Sequence, residues 1–212
     1  MKLYGYFRSS ASFRVRIALA LKGIEVAQTH IHLPSGAHRD PGFLARNPQG
    51  FLPALELDDG TSLTQSLAII EYLDEIRPEP PLLPADPVGR ARVRAMAALI
   101  ACDIHPLNNL RVLKYLKDPL GHDQETVNRW YRHWIAEGFA ALETLVSGRD
   151  GTCCHGSQIG LADICLVPQM WNARRFETDL SPYPRLVRID AALRAHPAFI
   201  AAAPEQQPDF TP

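Results

Sequence analysis

The chain has 212 residues, of which 46% are hydrophobic and 21% are charged, a composition typical of globular proteins rather than of disordered ones. Its formal net charge of −1 provides no overall positive field for nucleic acid or for an anionic membrane surface. No apolar run of about eighteen residues is present, so we expect neither a membrane span nor a membrane partner.

The cysteines and the first residues bear on the compartment. The chain has four cysteines, and none of them shows the C-x-x-C spacing of a metal or redox site. Cys153 and Cys154 are adjacent, which is poor geometry for a disulfide. Residues 1–6 lack the apolar core of a signal peptide. We therefore expect free thiols, no metal site and a cytoplasmic location.

Strand and helix patterns alternate in residues 1–80. Short apolar or aromatic runs predict strands, which lie at residues 2–7, 26–33, 52–57 and 62–64. Helical spacing of apolar residues predicts helices, which lie at residues 13–22 and 67–77. A βαβ unit followed by a hairpin and a helix predicts a mixed sheet covered by helices, which is the plan of a thioredoxin-like α/β domain.

A proline-rich segment separates this region from the rest. Residues 78–87 contain five prolines in ten positions, and proline interrupts both helices and central strands. Only helical patterns follow it, near residues 88–116, 123–146, 161–174 and 185–202. The sequence therefore predicts a thioredoxin-like domain at 1–80 and an all-helical domain at 88–212.

The segment between the first predicted strand and helix, Phe7-Arg8-Ser9-Ser10-Ala11-Ser12, is the first candidate site. Ligands collect at the carboxyl edge of such a sheet, and a helix N-terminus favours an anion there. Ser9 and Ser12 stand where a redox protein would have two cysteines, which excludes thiol–disulfide exchange at this position. A hydroxyl here can donate a hydrogen bond to a thiolate, or it can simply cap the helix.

Two further segments come at the ends of predicted elements. Pro53 opens a strand, which is typical of a cis proline beside a binding loop and leaves the backbone of Leu52 free to pair with an extended peptide. The alternative is that Pro53 only starts an edge strand. Gln65 and Ser66 precede the next helix, where Ser66 can cap it and both can receive a carboxylate, or Ser66 can act as a plain cap.

Residues 9–19 resemble the S-S-x-S-x-R-V-R-I-A-L signature of the zeta-class glutathione transferases. Residues 47–53, 65–73 and 172–176 match motifs of the same family, so the resemblance covers nearly the whole chain. Within the class, the chain is most similar to the bacterial maleylpyruvate and maleylacetoacetate isomerases. The resemblance implies the glutathione transferase fold, an α/β thioredoxin-like domain followed by an all-α domain.

The implied activity is a glutathione-dependent cis–trans isomerisation of a maleyl dicarboxylate, with maleylpyruvate favoured over maleylacetoacetate. Reversible addition of a thiolate would give the fumaryl isomer, with glutathione as a cofactor that is not consumed. The resemblance also implies a homodimer. Two alternatives share the fold: a glutathione-conjugating transferase or dehalogenase, and a non-enzymatic binding module. The second should lack the Ser9-Ser10 or the Gln65-Ser66 pair, and both pairs are present.

The resemblance assigns roles by position. The residues with catalytic roles are Ser9, Ser10, Arg8 and Arg175. Those that would contact glutathione are Ser9, His38, Leu52, Pro53, Gln65, Ser66, His105, Asn108 and Asn109. For His38 and His105, an ordinary polar surface position is the alternative. The arginines expected to bind the carboxylates of the substrate are Arg8, Arg111 and Arg175, since a guanidinium suits carboxylates, although most arginines are solvated surface charges.

Two positions depart from the family pattern. Ala11 stands where many relatives have a cysteine, which argues that a thiol of the protein itself is not needed. Gly160 stands where relatives often have Ser or Thr at the start of a capping box that ends at Asp163. Glycine is a tolerated N-cap, so we expect the box to be weakened rather than lost.

Overall fold

The structure is a computed structural model and describes residues 1–147 and 151–211. Its residues group into two compact units. The first unit comprises Met1–Pro81 together with the residues from Ala195 onward, and the second comprises Leu82–Arg194. The boundary near residue 81 falls inside the predicted linker. The last residues belong with the first unit rather than with the predicted helical domain, because the final helix packs on the first one.

A mixed sheet forms the centre of the first unit. The strands within the described residues are β1 (Lys2–Gly5), β2 (Ala27–His30), β3 (Ala54–Glu56) and β4 (Ser62–Thr64), in the spatial order β2-β1-β3-β4. β1 is parallel to β2 and antiparallel to β3, which is antiparallel to β4. The predicted thioredoxin-like plan is confirmed, and β4 has the predicted bounds, but β1, β2 and β3 are shorter than predicted. Proline has no N–H for a ladder, which delays the start of β3 beyond Pro53.

The sheet register decides where the site forms. Gly5 lies opposite His30 in the parallel pair, and Ala54 lies opposite both Tyr4 and Thr64 in the antiparallel pairs. The segments that follow β1, β2 and β4 therefore leave the sheet at the same edge as the segment that enters β3. This edge brings together the three segments singled out in the sequence.

Helices cover the sheet of the first unit. They are α1 (Ser10–Lys22), α2 (Pro41–Leu44), α3 (Ser66–Ile76) and, near the C-terminus, α10 (Pro197–Ala202). The apolar residues Val15, Ile17 and Ala18 of α1 are fully buried. Gly23 ends α1 in the left-handed conformation, with φ 60°, as predicted, since glycine adopts this conformation without steric cost.

Among the described residues of the second unit, the regular elements are helices. Its helices are α4 (Pro87–Ala98), α5 (His105–Leu107), α6 (Leu110–Lys117), α7 (Gln124–Leu145), α8 (Leu161–Arg175) and α9 (Pro184–Arg194), with a π-helical turn at Leu99–Ile104. The predicted continuous helix at 88–116 is therefore interrupted. Pro106 has no N–H to donate to the carbonyl four residues earlier, and Asn109 is extended with ψ 146°.

The predicted helix at 185–202 is also interrupted, and it divides between the two units. α9 ends at Arg194, and α10 begins at Pro197. His196 is extended, with ψ 134°, because the residue before a proline is disfavoured in the helical conformation.

The start of α8 keeps one half of its capping box, as expected, because glycine has no side chain to supply the other half. Asp163 is fully buried, and its Oδ2 accepts from the N–H of Gly160 at 2.9 Å while Oδ1 accepts from the N–H of Cys154 at 2.7 Å. Burial raises the pKa of Asp163, and these backbone donors act in the opposite direction. Across residues 1–147 and 151–211, no helix has the length and apolarity that a membrane crossing requires.

Candidate functional site

Ser9 ends a tight turn after β1 and caps α1. Its N–H donates to the carbonyl of Tyr6 at 3.0 Å, and its Oγ accepts from the N–H of Ser12 at 3.2 Å. The capping bond uses a lone pair of the hydroxyl oxygen, so the hydroxyl hydrogen can still be donated. Capping the helix and donating to an anion are therefore compatible roles for Ser9.

The neighbours of Ser9 differ in exposure. Ser10 is buried as the first residue of α1, whereas Ser9 is half-buried and Arg8 is exposed. The guanidinium of Arg8 lies 5.2 Å from the ring centroid of Phe7. Of the serine pair, Ser9 is thus the residue whose hydroxyl is accessible at this edge, with a cation on the same turn.

The entry to β3 presents free peptide groups. The Leu52–Pro53 bond is cis, as the motif predicts, and the side chain of Leu52 is buried in an aromatic cluster. In the described part of the chain, no backbone group hydrogen-bonds to the N–H or the carbonyl of Leu52. Both groups are thus open to pairing with an extended peptide, as a further strand would pair.

The start of α3 corrects one sequence expectation. Ser66 does not cap the helix but is its first residue, and its Oγ accepts from Nη1 of Arg14 at 3.4 Å. The first backbone bond of α3 runs from Ile69 to the carbonyl of Gln65 at 3.0 Å. The N–H groups of the first turn therefore point out of the helix without intrahelical partners, an arrangement that favours a carboxylate.

Gln65 joins α3 to the loop that precedes β3. Its Nε2 donates to Oε1 of Gln49 at 2.8 Å. Gly50, in the same loop, has φ 64°, and a Cβ there would lie 2.9 Å from the carbonyl oxygen of His38. The turn that carries His38 and the loop 47–50 are thus in close contact. The sequence motif contained Gln49, but nothing in it indicated this amide pair.

The remaining predicted residues lie in the second unit. His105 is in α5, Asn108 is buried between α5 and α6, and Asn109 caps α6 by accepting from the N–H of Arg111 at 3.1 Å. Arg111 is exposed and lines a cleft of about 460 Å³ with Val112, Tyr115, Leu116 and Trp130. Asn109 and Arg111 are therefore neighbours, as their sequence spacing implies.

Arg175 belongs to a separate aromatic cluster at the end of α8. Its guanidinium lies 4.8 Å from the ring centroid of Phe176 and 5.3 Å from that of Trp171. The ring of Tyr131 stacks on that of Phe176, with 3.5 Å between the ring centroids. Burial of Tyr131 raises its pKa to about 12, although the nearby Arg175 acts to lower it. The arginine is exposed but bordered by aromatic faces. Tyr131 was not identified from the sequence, because α7 and α8 are distant along the chain.

Comparison with known proteins identifies the family. Residues 1–75 match the family model described as glutathione S-transferase, N-terminal domain. Maleylacetoacetate isomerase of Pseudomonas aeruginosa is 51% identical over 211 residues, which cover 99% of this chain and 98% of that protein. The chain belongs to the zeta-class glutathione transferase family.

Two solved structures of the family resemble this one over their whole length. A holo structure of maleylpyruvate isomerase, described as a bacterial zeta-class enzyme, has a TM-score of 0.97 and 47% identity, with 100% of both chains covered. Maleylacetoacetate isomerase from Methylobacterium extorquens AM1, solved with bound malonate and GSH, has a TM-score of 0.96 and 42% identity, with 100% of both chains covered.

The backbone of Gln65 lies in the left-handed region although the residue is not glycine. Gln65 has φ 67° and ψ 115°, a sparsely populated conformation for a residue with a Cβ. Gln65 is also the N-cap of α3, a position where glycine is already better than alanine by up to about 1 kcal/mol. We expect a larger difference here, with Gln65→Gly more stable than Gln65→Ala by about 2 kcal/mol, since both lose the bond to Gln49 and only glycine also relieves the strain.

Chemical denaturation of the two variants measures this difference in the free energy of unfolding. The same pair of substitutions at Asp123, an exposed N-cap residue with φ −70°, serves as the control and should show the capping difference alone. A difference at Gln65 no larger than the difference at Asp123 would show that the backbone is not strained there.

Proposed function

We propose that this family member is a glutathione-dependent cis–trans isomerase of a maleyl dicarboxylate, with maleylpyruvate as the favoured substrate and maleylacetoacetate as the second. The observation that carries the proposal is the accessible Ser9 hydroxyl, whose hydrogen is still free to be donated at the N-terminus of α1. Relatives that share about half of their residues with this chain are named as isomerases, which supports the proposed reaction. Malonate, bound with GSH in one relative, is itself a dicarboxylate.

The residues of the first unit fit glutathione, which is a tripeptide with a thiol and two carboxylates. The unpartnered backbone of Leu52, before Pro53, would hold its central residue as an added strand. Gln65 and Ser66, at the N-terminus of α3, would receive the γ-glutamyl end. The half-buried His38 would contact the glycyl carboxylate.

The helical unit would supply further contacts. We assign His105, Asn108 and Asn109 to the cofactor, as the family motif implies. Both amide atoms of Asn108 lack a hydrogen-bond partner among the described residues although the side chain is buried. Such an amide is costly unless a ligand or water satisfies it, which supports a binding role for this stretch.

Glutathione, when bound, supplies the thiolate that adds to the cis double bond and leaves again once the resulting single bond has rotated. Ser9 would donate its hydroxyl hydrogen to the sulfur anion, and the partial positive charge of the α1 N-terminus would favour the same charge state. Lowering a thiol pKa from about 8.5 by about two units requires roughly 2.7 kcal/mol of preferential stabilisation. One charge-assisted hydrogen bond and one helix terminus together provide energy of this size.

Arginines would handle the negative charge of the substrate. The reaction places charge on a carbonyl oxygen next to the double bond, and the substrate has carboxylates at its ends. Arg8 lies on the turn of Ser9, Arg111 lines the cleft of the second unit, and Arg175 is bordered by aromatic rings. We assign these three arginines to the dicarboxylate, and Ser10 to support of the first turn of α1.

The wider setting is inferred from the family. We propose that the protein acts in the cytoplasm as a homodimer, in the catabolism of aromatic compounds. We expect no nucleic-acid partner, which is consistent with the net charge of −1.

The proposal is tested by supplying maleylpyruvate and maleylacetoacetate separately, with and without glutathione. We expect turnover of at least one substrate to require glutathione, and the glutathione concentration to stay constant over many turnovers. Equal rates without glutathione would contradict the proposal. Stoichiometric loss of glutathione would also contradict it and would favour a conjugating transferase.

A substitution of Arg175 separates substrate binding from cofactor binding. We expect Arg175→Ala to lower kcat/KM for the dicarboxylate by about tenfold or more, because a charge-assisted pair with a carboxylate is lost. The Kd for glutathione, measured by calorimetry, should stay within about twofold. Arg188→Ala, at an exposed position on α9, is the control and should change neither quantity. Equal losses of substrate use and glutathione binding would give Arg175 a structural role instead.

A further inference from the structure

The C-terminal tail, residues 204–211, contacts the turn that presents Ser9. Oδ2 of Asp209 accepts from the N–H of Phe7 at 3.0 Å. Oδ1 of the same carboxylate lies 3.1 Å from Nδ1 of His30, at the end of β2. A single side chain of the tail therefore meets the chain where both parallel strands end, at the edge of the sheet that carries the site.

Arg16 of α1 hydrogen-bonds to the same turn from the interior of the first unit. It is buried, and its guanidinium donates to the carbonyl of Phe7 at 3.1 Å, of Tyr6 at 3.4 Å and of Ala202 at 2.9 Å. Burial lowers the pKa of Arg16 to about 10, and the negative charge of Asp209 opposes this decrease. The guanidinium is thus charged at neutral pH and connects the turn to α10.

Apolar packing holds the tail in place. The ring of Phe210 meets that of Phe7 edge-on, with 5.4 Å between their centroids, and packs against the cluster that includes Leu52. Nε2 of Gln207 donates to the carbonyls of Ala201 and Ala203 at 3.0 and 2.9 Å, which fastens the start of the tail to α10. The tail is therefore a packed part of the first unit.

The bonds from Asp209 and Arg16 replace the backbone hydrogen bonds that a neighbouring strand would have provided. The chain leaves the ladder after Gly5, so the peptide groups of Phe7 need other partners. Its N–H is satisfied by Asp209 and its carbonyl by Arg16. The carbonyl of Tyr6 accepts from both Arg16 and Ser9, which joins this bonding to the residue that caps α1.

We infer that Asp209 is a positioning residue: through the N–H of Phe7, it braces the Tyr6–Ser9 turn and so sets the position of the Ser9 hydroxyl. The bracing itself is independent of the reaction, whereas its effect on a bound thiol rests on the proposed function. A displaced hydroxyl would donate less well to the sulfur anion, because hydrogen bonds weaken steeply with misalignment. Asp209 does not need to touch the cofactor to have this effect.

The test compares Asp209→Ala, Asp209→Asn and the control Gln206→Ala, an exposed residue of the same tail. Amide hydrogen exchange in the glutathione-free protein reports on the turn through Ser9 and on the cap through Ser12. We expect Asp209→Ala to speed exchange at both amides by about tenfold, since a restraint on the turn is removed. Asparagine keeps an acceptor oxygen for Phe7, so Asp209→Asn should restore most of the protection. Gln206→Ala should resemble the unmodified protein.

A second measurement connects the brace to the thiol. Ultraviolet titration of the bound glutathione should show a higher thiol pKa in Asp209→Ala than in the unmodified protein, with an intermediate value in Asp209→Asn. If Asp209→Ala does not fold, Phe210→Ala removes the packing of the tail and should speed the same exchange.

Unchanged exchange at Ser9 and Ser12, with faster exchange confined to Phe7, would overturn the inference. So would an unchanged thiol pKa in a folded Asp209→Ala protein. If the unmodified protein does not bind glutathione, the proposed function fails, while the exchange data still decide whether Asp209 braces the turn.

Discussion

The buried guanidinium of Arg16 is the interaction on which the site edge of the first unit depends. A charged group removed from water is destabilising unless its donors are bonded, and the available acceptors are backbone carbonyls at the end of β1 and in α10. Satisfying this one group fixes the path of Tyr6 and Phe7 after they leave the sheet. It also holds α10 against α1. The turn that presents Ser9 is therefore ordered by the interior of the protein before any ligand is bound.

The sheet positions the other two segments of the candidate site relative to this turn. The first turn of α1, the free peptide edge at Leu52 and the first turn of α3 all follow or precede strands that end at one edge of the sheet. Their mutual positions are set by the register of the ladder. Preorganised donors of this kind stabilise a negative charge without a reorganisation cost during the reaction.

The sequence predicted those features of the fold that are determined locally. The βαβ plan, the stop at Gly23 and the cis bond at Pro53 each depend on a few neighbouring residues, and each is present. The positions of the two helix interruptions were signalled by Pro106 and Pro197, but helical periodicity outweighed these prolines. The cap of α3 was misplaced by one residue, since an apolar pattern does not resolve a helix boundary that finely.

For the candidate site, too, the sequence predicted local features and missed contacts between distant parts of the chain. Ser9, Leu52 and Gln65 were predicted because each lies in a motif next to a strand that begins or ends at this edge of the sheet. The contact between Phe7 and Asp209 joins the two ends of the chain, and neither periodicity nor spacing reports a contact of that range. The aromatic border of Arg175 was missed for a similar reason, because Tyr131 reaches it from another helix.

The central claim, that Ser9 and the α1 N-terminus hold a bound thiol as an anion, is tested most directly by titrating the thiolate absorbance of glutathione on the protein and on two variants. Glycine is an adequate N-cap and alanine is a poor one. Ser9→Gly therefore removes the hydroxyl with little loss of stability, whereas Ser9→Ala removes the hydroxyl and also destabilises the start of α1. We expect a bound thiol pKa well below about 8.5 in the unmodified protein and a higher pKa in both variants. A bound thiol that titrates at the same pH in all three proteins would contradict this claim.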